Sequence, residues 1–271
     1  MRNFSPFPSP ARIGLLGVAF DENSSYLPGA ALAPQQIRKA FFSDSSNLWT
    51  ENGTDLGSDG IFADMGDIRP SAEQMPIETE QAAERIHLAQ MKVIAFGGDH
   101  SVTYPLVNAA AKHHPNLTIL HFDAHPDLYD TFEGNPYSHA CPMARIMEAG
   151  LAKRLVQVGI RTMNGHQREQ AQRFNVEVLT MQEWHDVFQL KLDAPLYLTF
   201  DMDCLDPAFA PGVSHREPGG LSTREVLRVI QSLTADIIGA DVVELNPAQD
   251  PLFLTEMVAA KVFKEITAKM L

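Results

Sequence analysis

Residues Leu117–Asp127 read LTILHFDAHPD: six residues dominated by branched and aromatic side chains, then two aspartates and a histidine within five positions. A short, nearly continuous apolar run of this kind reads as a strand buried on both faces, and the polar motif marks the end where it leaves the sheet. The same grammar recurs along the chain. Arg12–Val18, Ile61–Met65, Lys92–Phe96, Arg154–Val158, Val176–Thr180, Leu196–Phe200 and Ile237–Val243 are equally short and apolar, which makes about eight strand candidates.

Segments with helical periodicity lie between most of them. Ala82, Ile86 and Ala89 fall at i, i+4 and i+7, and Val226, Ile230 and Leu233 repeat the spacing. Ser222–Glu225 reads STRE, a capping box that starts a helix after the Pro218-Gly219-Gly220 turn, and a last helix is expected from about Leu254 to Lys269. Alternation of strand and helix implies parallel pairing with helices on both faces. The expected fold is therefore a three-layer α/β/α sandwich on an eight-stranded parallel sheet, formed by residues 1–271 as a single domain. Ser43–Ser58, Leu128–Ser138 and Pro207–Leu221 are expected loops, the last two flanking the polar motifs.

Four strand candidates run into chemistry-bearing residues: Phe96 into GGDHS (Gly97–Ser101), Phe122 into DAHPD, Phe200 into DMD (Asp201–Asp203) and Val243 into Glu244. In an open parallel sheet the C-terminal edge is where ligands bind, so these distant segments are expected to converge there. Taken singly, an Asp-x-Asp or a histidine after a strand is more often a helix cap or a solvated loop. Three such motifs at strand ends are harder to dismiss. Buried carboxylates repel one another and cost several kcal/mol each, by order of magnitude, unless cations neutralise them. His100, Asp123, His125, Asp127, Asp201 and Asp203 supply two imidazoles and four carboxylates, a donor set suited to Mn²⁺ better than to a thiolate-rich zinc site. Bridging aspartates would hold two ions about 3.5 to 4 Å apart. For the first, third and fifth residues of DAHPD to face one side, the segment must stay extended beyond its strand, and Pro126 favours that by disfavouring helix at His125.

His121, inside its strand, reads as a satisfied core histidine, and His113, His114, His166 and His185 as surface residues. Asp99 and Asp206 lie in turn-forming contexts and read as turn or supporting residues. Cys141 and Cys204 form no CxxC pair, so no disulfide framework is expected, a reducing cytoplasm is the expected location, and both read as small buried hydrophobes. A net charge of −13 argues against nucleic acid or an anionic membrane as partner. No apolar run approaches a membrane span, and the start of the chain breaks its apolar stretch with prolines and a charge, so no signal peptide is read.

The motif blocks GGDHS, DAHPD, SHA and DMDCLDPAFAPG resemble, in order, those of the ureohydrolases, manganese enzymes that release urea from arginine, agmatine and related guanidines. FEGNPYSHACPMARIMEAG (Phe132–Gly150), VGIRT, DCLDPAFAPGVSHREPGGLSTREVL (Asp203–Leu227), GADVVELNPAQD (Gly239–Asp250) and LPGAALAPQQIRKAF resemble the plant-type arginase branch, and the likeness runs from about residue 12 to the end. Val213, Ser214 and His215 stand where most agmatinases and animal arginases carry a GTGT or TGT loop, as in the plant type. Cys141 and Pro142 depart from the small hydroxyl residues more common in that branch.

The resemblance implies two Mn²⁺ per subunit, the first held by His100, Asp123, Asp127 and Asp201 and the second by Asp123, His125, Asp201 and Asp203, with Asp123 and Asp201 bridging. It implies hydrolysis of L-arginine to L-ornithine and urea by a hydroxide bridging the ions, with agmatine or another guanidine as the alternative substrate. Asp127 would hydrogen-bond that hydroxide, Glu244 pair with the guanidinium, and His139 carry a proton to the leaving amine. Glu133, Asn135 and Ser138 are the candidates for the α-carboxylate and α-ammonium end, with His215 facing the substrate. A homo-oligomer, specifically a hexamer, is implied too. A two-metal phosphoesterase would need Lys or Arg beside the carboxylates, and none lies within the three motifs. A non-catalytic sensor on the same fold would be expected to lack a ligand, and all six positions are filled.

Overall fold

Leu117–Phe122 is a strand whose six residues are all buried, and Ile237–Val243 is buried along its whole length, as a sheet covered on both sides requires. The computed structural model describes residues 11–184 and 190–271. In chain order the strands are β1 (Ile13–Val18), β2 (Phe62–Ile68), β3 (Lys92–Phe96), β4 (Leu117–Phe122), β5 (Ala152–Ile160), β6 (Glu177–Thr180), β7 (Leu196–Asp201) and β8 (Ile237–Val243). They form one sheet in the order β2-β1-β3-β8-β7-β4-β5-β6, and every pairing is parallel.

The period-2 geometry of the strands divides the core in two. Ile94, Phe96, Leu120, Phe122, Leu198 and Phe200 face one layer, with Ile37, Phe41, Val226, Ile230 and Phe263 packed over them from α1 (Ala33–Phe41), α6 (Thr223–Ser232) and α7 (Leu254–Met270). Val93, Ala95, Ile119 and Tyr197 face the other, under Ala82, Ile86, Leu106, Ala110 and Ile146 from α2 (Met75–Leu88), α3 (Thr103–His113) and α4 (Pro142–Glu148). The remaining helix, α5 (Gly165–Arg173), connects β5 to β6. The three-layer sandwich read from the sequence is thus present.

Differences fall at the edges. Ala89, expected on the buried face of α2, is an exposed C-cap; Met75, Thr79 and Ala83 fill that face instead. On the edge, β2 continues to Ile68 through Gly66 and Asp67, because Arg38 of α1 bonds the carboxylates of Asp64 and Asp67 and replaces apolar contact with ion pairing. Ser222 and Glu225 form the expected capping box on α6, and Asn164 and Gln167 form another on α5 that the sequence reading passed over.

His113 and His166 have partners rather than open solvent: His113 Nε2 lies 2.8 Å from Glu84 Oε1, and His166 pairs with Asp130 while stacking on Tyr129. His114 is half-buried; His185 lies outside the described residues. His87 of α2 is buried, stacked on His113 with ring centroids 5.2 Å apart and edge-on to His114 at 5.9 Å. Burial, and then the two neighbouring imidazoles, pull its pKa from 6.5 down to about 4. The unfolded chain therefore takes up a proton near pH 6.5 that the folded chain refuses until about pH 4, so this group drains stability as pH falls through that window. His87→Gln, neutral throughout, is expected to lose less melting temperature than the parent between pH 7 and pH 5; equal losses in metal-free protein would contradict this reading.

Candidate metal centre

The sheet order places β3, β8, β7 and β4 side by side, so the four motif-bearing strand ends open at one place on the C-terminal edge. Local chemistry then aims each side chain. Asp201 ends β7 and accepts a hydrogen bond from Asp203 N on Oδ1 at 2.8 Å; Asp123 follows β4 and accepts from His125 N on Oδ1 at 2.6 Å. In both, the carboxylate caps its own turn and leaves Oδ2 to face the cavity. Asp203 Oδ1 accepts from Ala124 N, tying the two loops together, while Arg161 Nη2 donates to the Asp203 carbonyl at 2.6 Å and to the Glu217 carbonyl at 2.6 Å.

DAHPD does not stay extended as expected. The Asp123 turn folds it back, and Asp127 sits at φ 50°, in the left-handed region; Glu244 does the same at φ 61°. Such backbone costs on the order of 1–3 kcal/mol per residue and persists where the surroundings over-determine it. Gly98, whose added Cβ would strike the Phe20 carbonyl, lets the GGDHS turn pass close enough for its own carbonyl to accept from Glu244 N at 2.8 Å.

The result is two groups of ligand atoms. His100 Nδ1 lies 3.3 Å from Asp123 Oδ2, 3.0 Å from Asp127 Oδ2 and 3.2 Å from Asp201 Oδ2. His125 Nδ1 lies 3.3 Å from Asp123 Oδ1 and 3.1 Å from Asp203 Oδ2, so Asp123 belongs to both groups. His100 Nδ1 is buried and makes no hydrogen bond despite these neighbours. Separations near 3 Å are the edges that a cation with bonds of about 2.1 Å imposes on adjacent octahedral ligands. The donor set and the orphaned nitrogen therefore fit metal ions.

Electrostatics agree. Burial, then the charges of Asp203 and Asp123, push the Asp201 carboxyl well above its ordinary range, and burial with Asp123 raises Asp127. Burial alone would raise Asp123 too, but His121, His100 and His125 hold it well below. His125 is driven up to about 12 against burial by Asp203 and Asp123, in keeping with a cavity that attracts positive charge. His121 is fully buried and bonded at both ring nitrogens, as expected of a satisfied core histidine. Its Nε2 reaches Asp123 Oδ2 at 2.8 Å and its Nδ1 meets Gln157 Nε2 at 3.0 Å, so it supports a candidate ligand. Cys141 and Cys204 are buried beside this charge, which, with burial, pushes the Cys141 thiol up to about 12 and Cys204 well above its usual range.

A cleft leads to the carboxylates, and Asp127, Asp201 and Asp203 line it. His139 lines it, with Nδ1 2.9 Å from Glu244 Oε1 and Nε2 2.9 Å from Ser25 Oγ; His100 N also donates to Glu244 Oε1 at 2.9 Å. Burial opposes charge on His139, but Glu244 outweighs it and raises the pKa to about 9. His215 lines the cleft as expected, its ring 5.1 Å from His139 and 6.0 Å from His125.

Glu133, Asn135 and Ser138 are not brought to this wall. Phe132 and Asn135 exchange backbone bonds around a two-residue turn in which Glu133 and Gly134 both have positive φ, so Glu133 projects at an exposed tip. Asn135 Nδ2 donates to Asn23 Oδ1, and Ser138 Oγ accepts from Ala140 N. The outer wall consists of Ser25, Tyr129, Phe132, Thr162, Asn164 and Gln167 instead. Of these, Asn164 and Gln167 carry a legible cap signature, N-x-x-Q; the others have no local signal. Asp99 and Asp206 are turn anchors: Asp99 accepts from Ser101 N and Asn23 N, and Asp206 from Ala208 N, Gly219 N and Gly220 N.

The profile of the "Arginase family" matches residues 11–268. The chain is 46% identical to "Arginase 1, mitochondrial" of Arabidopsis thaliana over 96% of its own length and 81% of that protein's. It is 35% identical to an agmatinase of Serratia proteamaculans over 95% of this chain and 87% of that one. Its fold superposes on a solved structure of arginase from Medicago truncatula with a TM-score of 0.91 at 40% identity, covering 96% of this chain and 87% of the other. A twin-lobed His/Asp centre on an eight-stranded parallel sheet, together with these matches over nearly the full length, shows that the chain belongs to the arginase family.

Proposed function

We propose that this ureohydrolase is a manganese-dependent arginase, converting L-arginine and water to L-ornithine and urea. The observation that carries the reading is the pair of ligand groups sharing Asp123, with Glu244 and His139 lining the same cleft. His100, Asp123, Asp127 and Asp201 would hold one ion and Asp123, His125, Asp201 and Asp203 the other, each set hard enough to favour Mn²⁺. When bound, the pair supplies Lewis acidity and a nucleophile at neutral pH by lowering the pKa of a coordinated water.

The chain's own groups do the rest. Glu244 uses Oε1 for His100 N and His139, which leaves Oε2 to accept from the substrate guanidinium. Asp127 accepts a hydrogen bond from the nucleophile and orients it. His139, whose pKa Glu244 raises to about 9, hands a proton to the leaving amine, with Ser25 N and Oγ against its Nε2. At the outer end, Ser25, Thr162, Asn164 and Gln167 present hydroxyls and amides without an acidic side chain among them, which suits the α-carboxylate that distinguishes arginine from agmatine. No Lys or Arg lines the cleft among the described residues, which speaks against a phosphoester substrate.

No helix among the described residues is long and apolar enough to cross a membrane. We place the protein in the cytoplasm as a homo-oligomer, with a hexamer the state that light scattering should report.

Urea release from arginine, agmatine and 4-guanidinobutyrate by the Mn²⁺-loaded protein is expected to favour arginine; preference for agmatine would keep the chemistry and overturn the reading of the outer wall. His139→Ala is expected to lower kcat by about 10²-fold or more with metal content unchanged, in line with the usual worth of a positioned acid. Undiminished turnover would remove the proton-carrying role.

A further inference from the structure

Beneath the ligands lies a second polar layer. Gln157 of β5, His121 of β4, Thr199 of β7 and Asp241 of β8 are successive register partners across four adjacent strands. All four are fully buried, in a face otherwise filled by apolar side chains and Tyr197. A row of polar side chains in a sheet core is costly unless each bond is made. Gln157 Oε1 is left without a partner, but the bonds that run from Asp241 through Thr199 to His100 each have a direction.

An ionised carboxylate only accepts. Asp241 receives Tyr197 Oη at 2.9 Å on Oδ2 and Thr199 Oγ1 at 2.6 Å on Oδ1. Thr199 has one hydroxyl proton, and the short bond commits it to Asp241. Its oxygen can then only accept from His100 Nε2, 3.0 Å away. When His100 is neutral, as a metal ligand must be, its ring proton is therefore on Nε2, and Nδ1 keeps the lone pair that faces Asp123, Asp127 and Asp201.

We propose that Asp241 is a positioning residue: through Thr199 it sets the direction of a hydrogen-bond chain that fixes the tautomer of His100 and so makes Nδ1 the metal-binding nitrogen. Were the chain reversed, with Thr199 donating to Nε2, the proton would move to Nδ1 and block coordination. The same row serves the shared ligand on its other side, where Gln157 donates to His121 and His121 to Asp123. The inference rests on His100 being a metal ligand, as the proposed function has it.

Thr199→Val removes the link and Thr199→Ser restores it, while Asp241→Asn removes the charge that orients it. Mn²⁺ titrations followed by electron paramagnetic resonance, and imidazole ¹⁵N shifts in protein loaded with diamagnetic Zn²⁺, read the two halves of the proposal. Expected for Thr199→Val is a loss of about 10- to 100-fold in the affinity of one ion per subunit, with the second bound as before, and loss of the protected His100 Nε2–H signal. Thr199→Ser should recover both, and Asp241→Asn should fall between. Two ions bound at parental affinity in Thr199→Val, or both ions weakened alike, would overturn the proposal. His100→Asn separates the two readings: should it still bind two ions at parental affinity, the assignment of His100 as a ligand fails, whatever Thr199 shows.

Discussion

Everything at the C-terminal edge of the sheet depends on one constraint: Asp123, Asp127, Asp201 and Asp203 are held together, buried, where their charges repel. Water cannot screen them, and His100 and His125 compensate only in part, as the opposite pKa shifts of Asp123 and Asp201 show. The surroundings enforce the arrangement. Backbone amides take one oxygen of Asp123, Asp201 and Asp203, Arg161 pins the turn that carries Asp203, and Asp127 and Glu244 are kept in left-handed backbone. A chain that accepts this much opposed electrostatics and strain gains a site with a strong demand for cations.

That demand explains why the cleft wall is built as it is. Beside the carboxylates, Glu244 is held by two donors on one oxygen. Close by, Glu244 raises the pKa of His139, and burial and His139 lower that of His215. Farther out, the wall turns from ionic to amide and hydroxyl character.

Much of this was legible in the sequence, for identifiable reasons. Strands buried on both faces announce themselves as short apolar runs, so β3, β4, β7 and β8 and the motifs at their ends could be placed by pattern alone. Edge strand β2 could not be bounded, because Arg38 stabilises its polar end through ion pairs with residues remote in sequence. The candidate ligands are readable because their chemistry sits immediately after a strand. Extension of DAHPD was the wrong reason for the right convergence: the Asp123 turn, not a continued strand, brings His125 and Asp127 round. Ser25, Thr162 and Tyr129 reach the cleft only through tertiary packing, and the Glu133–Gly134 turn carries Glu133 away from it. The row Gln157–His121–Thr199–Asp241 becomes visible only once strand order is known, since four strands scattered over the chain contribute one residue each.

Crowded carboxylates of this kind are expected to hold two cations that share Asp123. Anomalous diffraction at the manganese edge from Mn²⁺-loaded crystals tests it most directly. Two peaks are expected, one beside His100 and one beside His125, both within bonding distance of Asp123. A single peak, or manganese bound away from these residues, would contradict it.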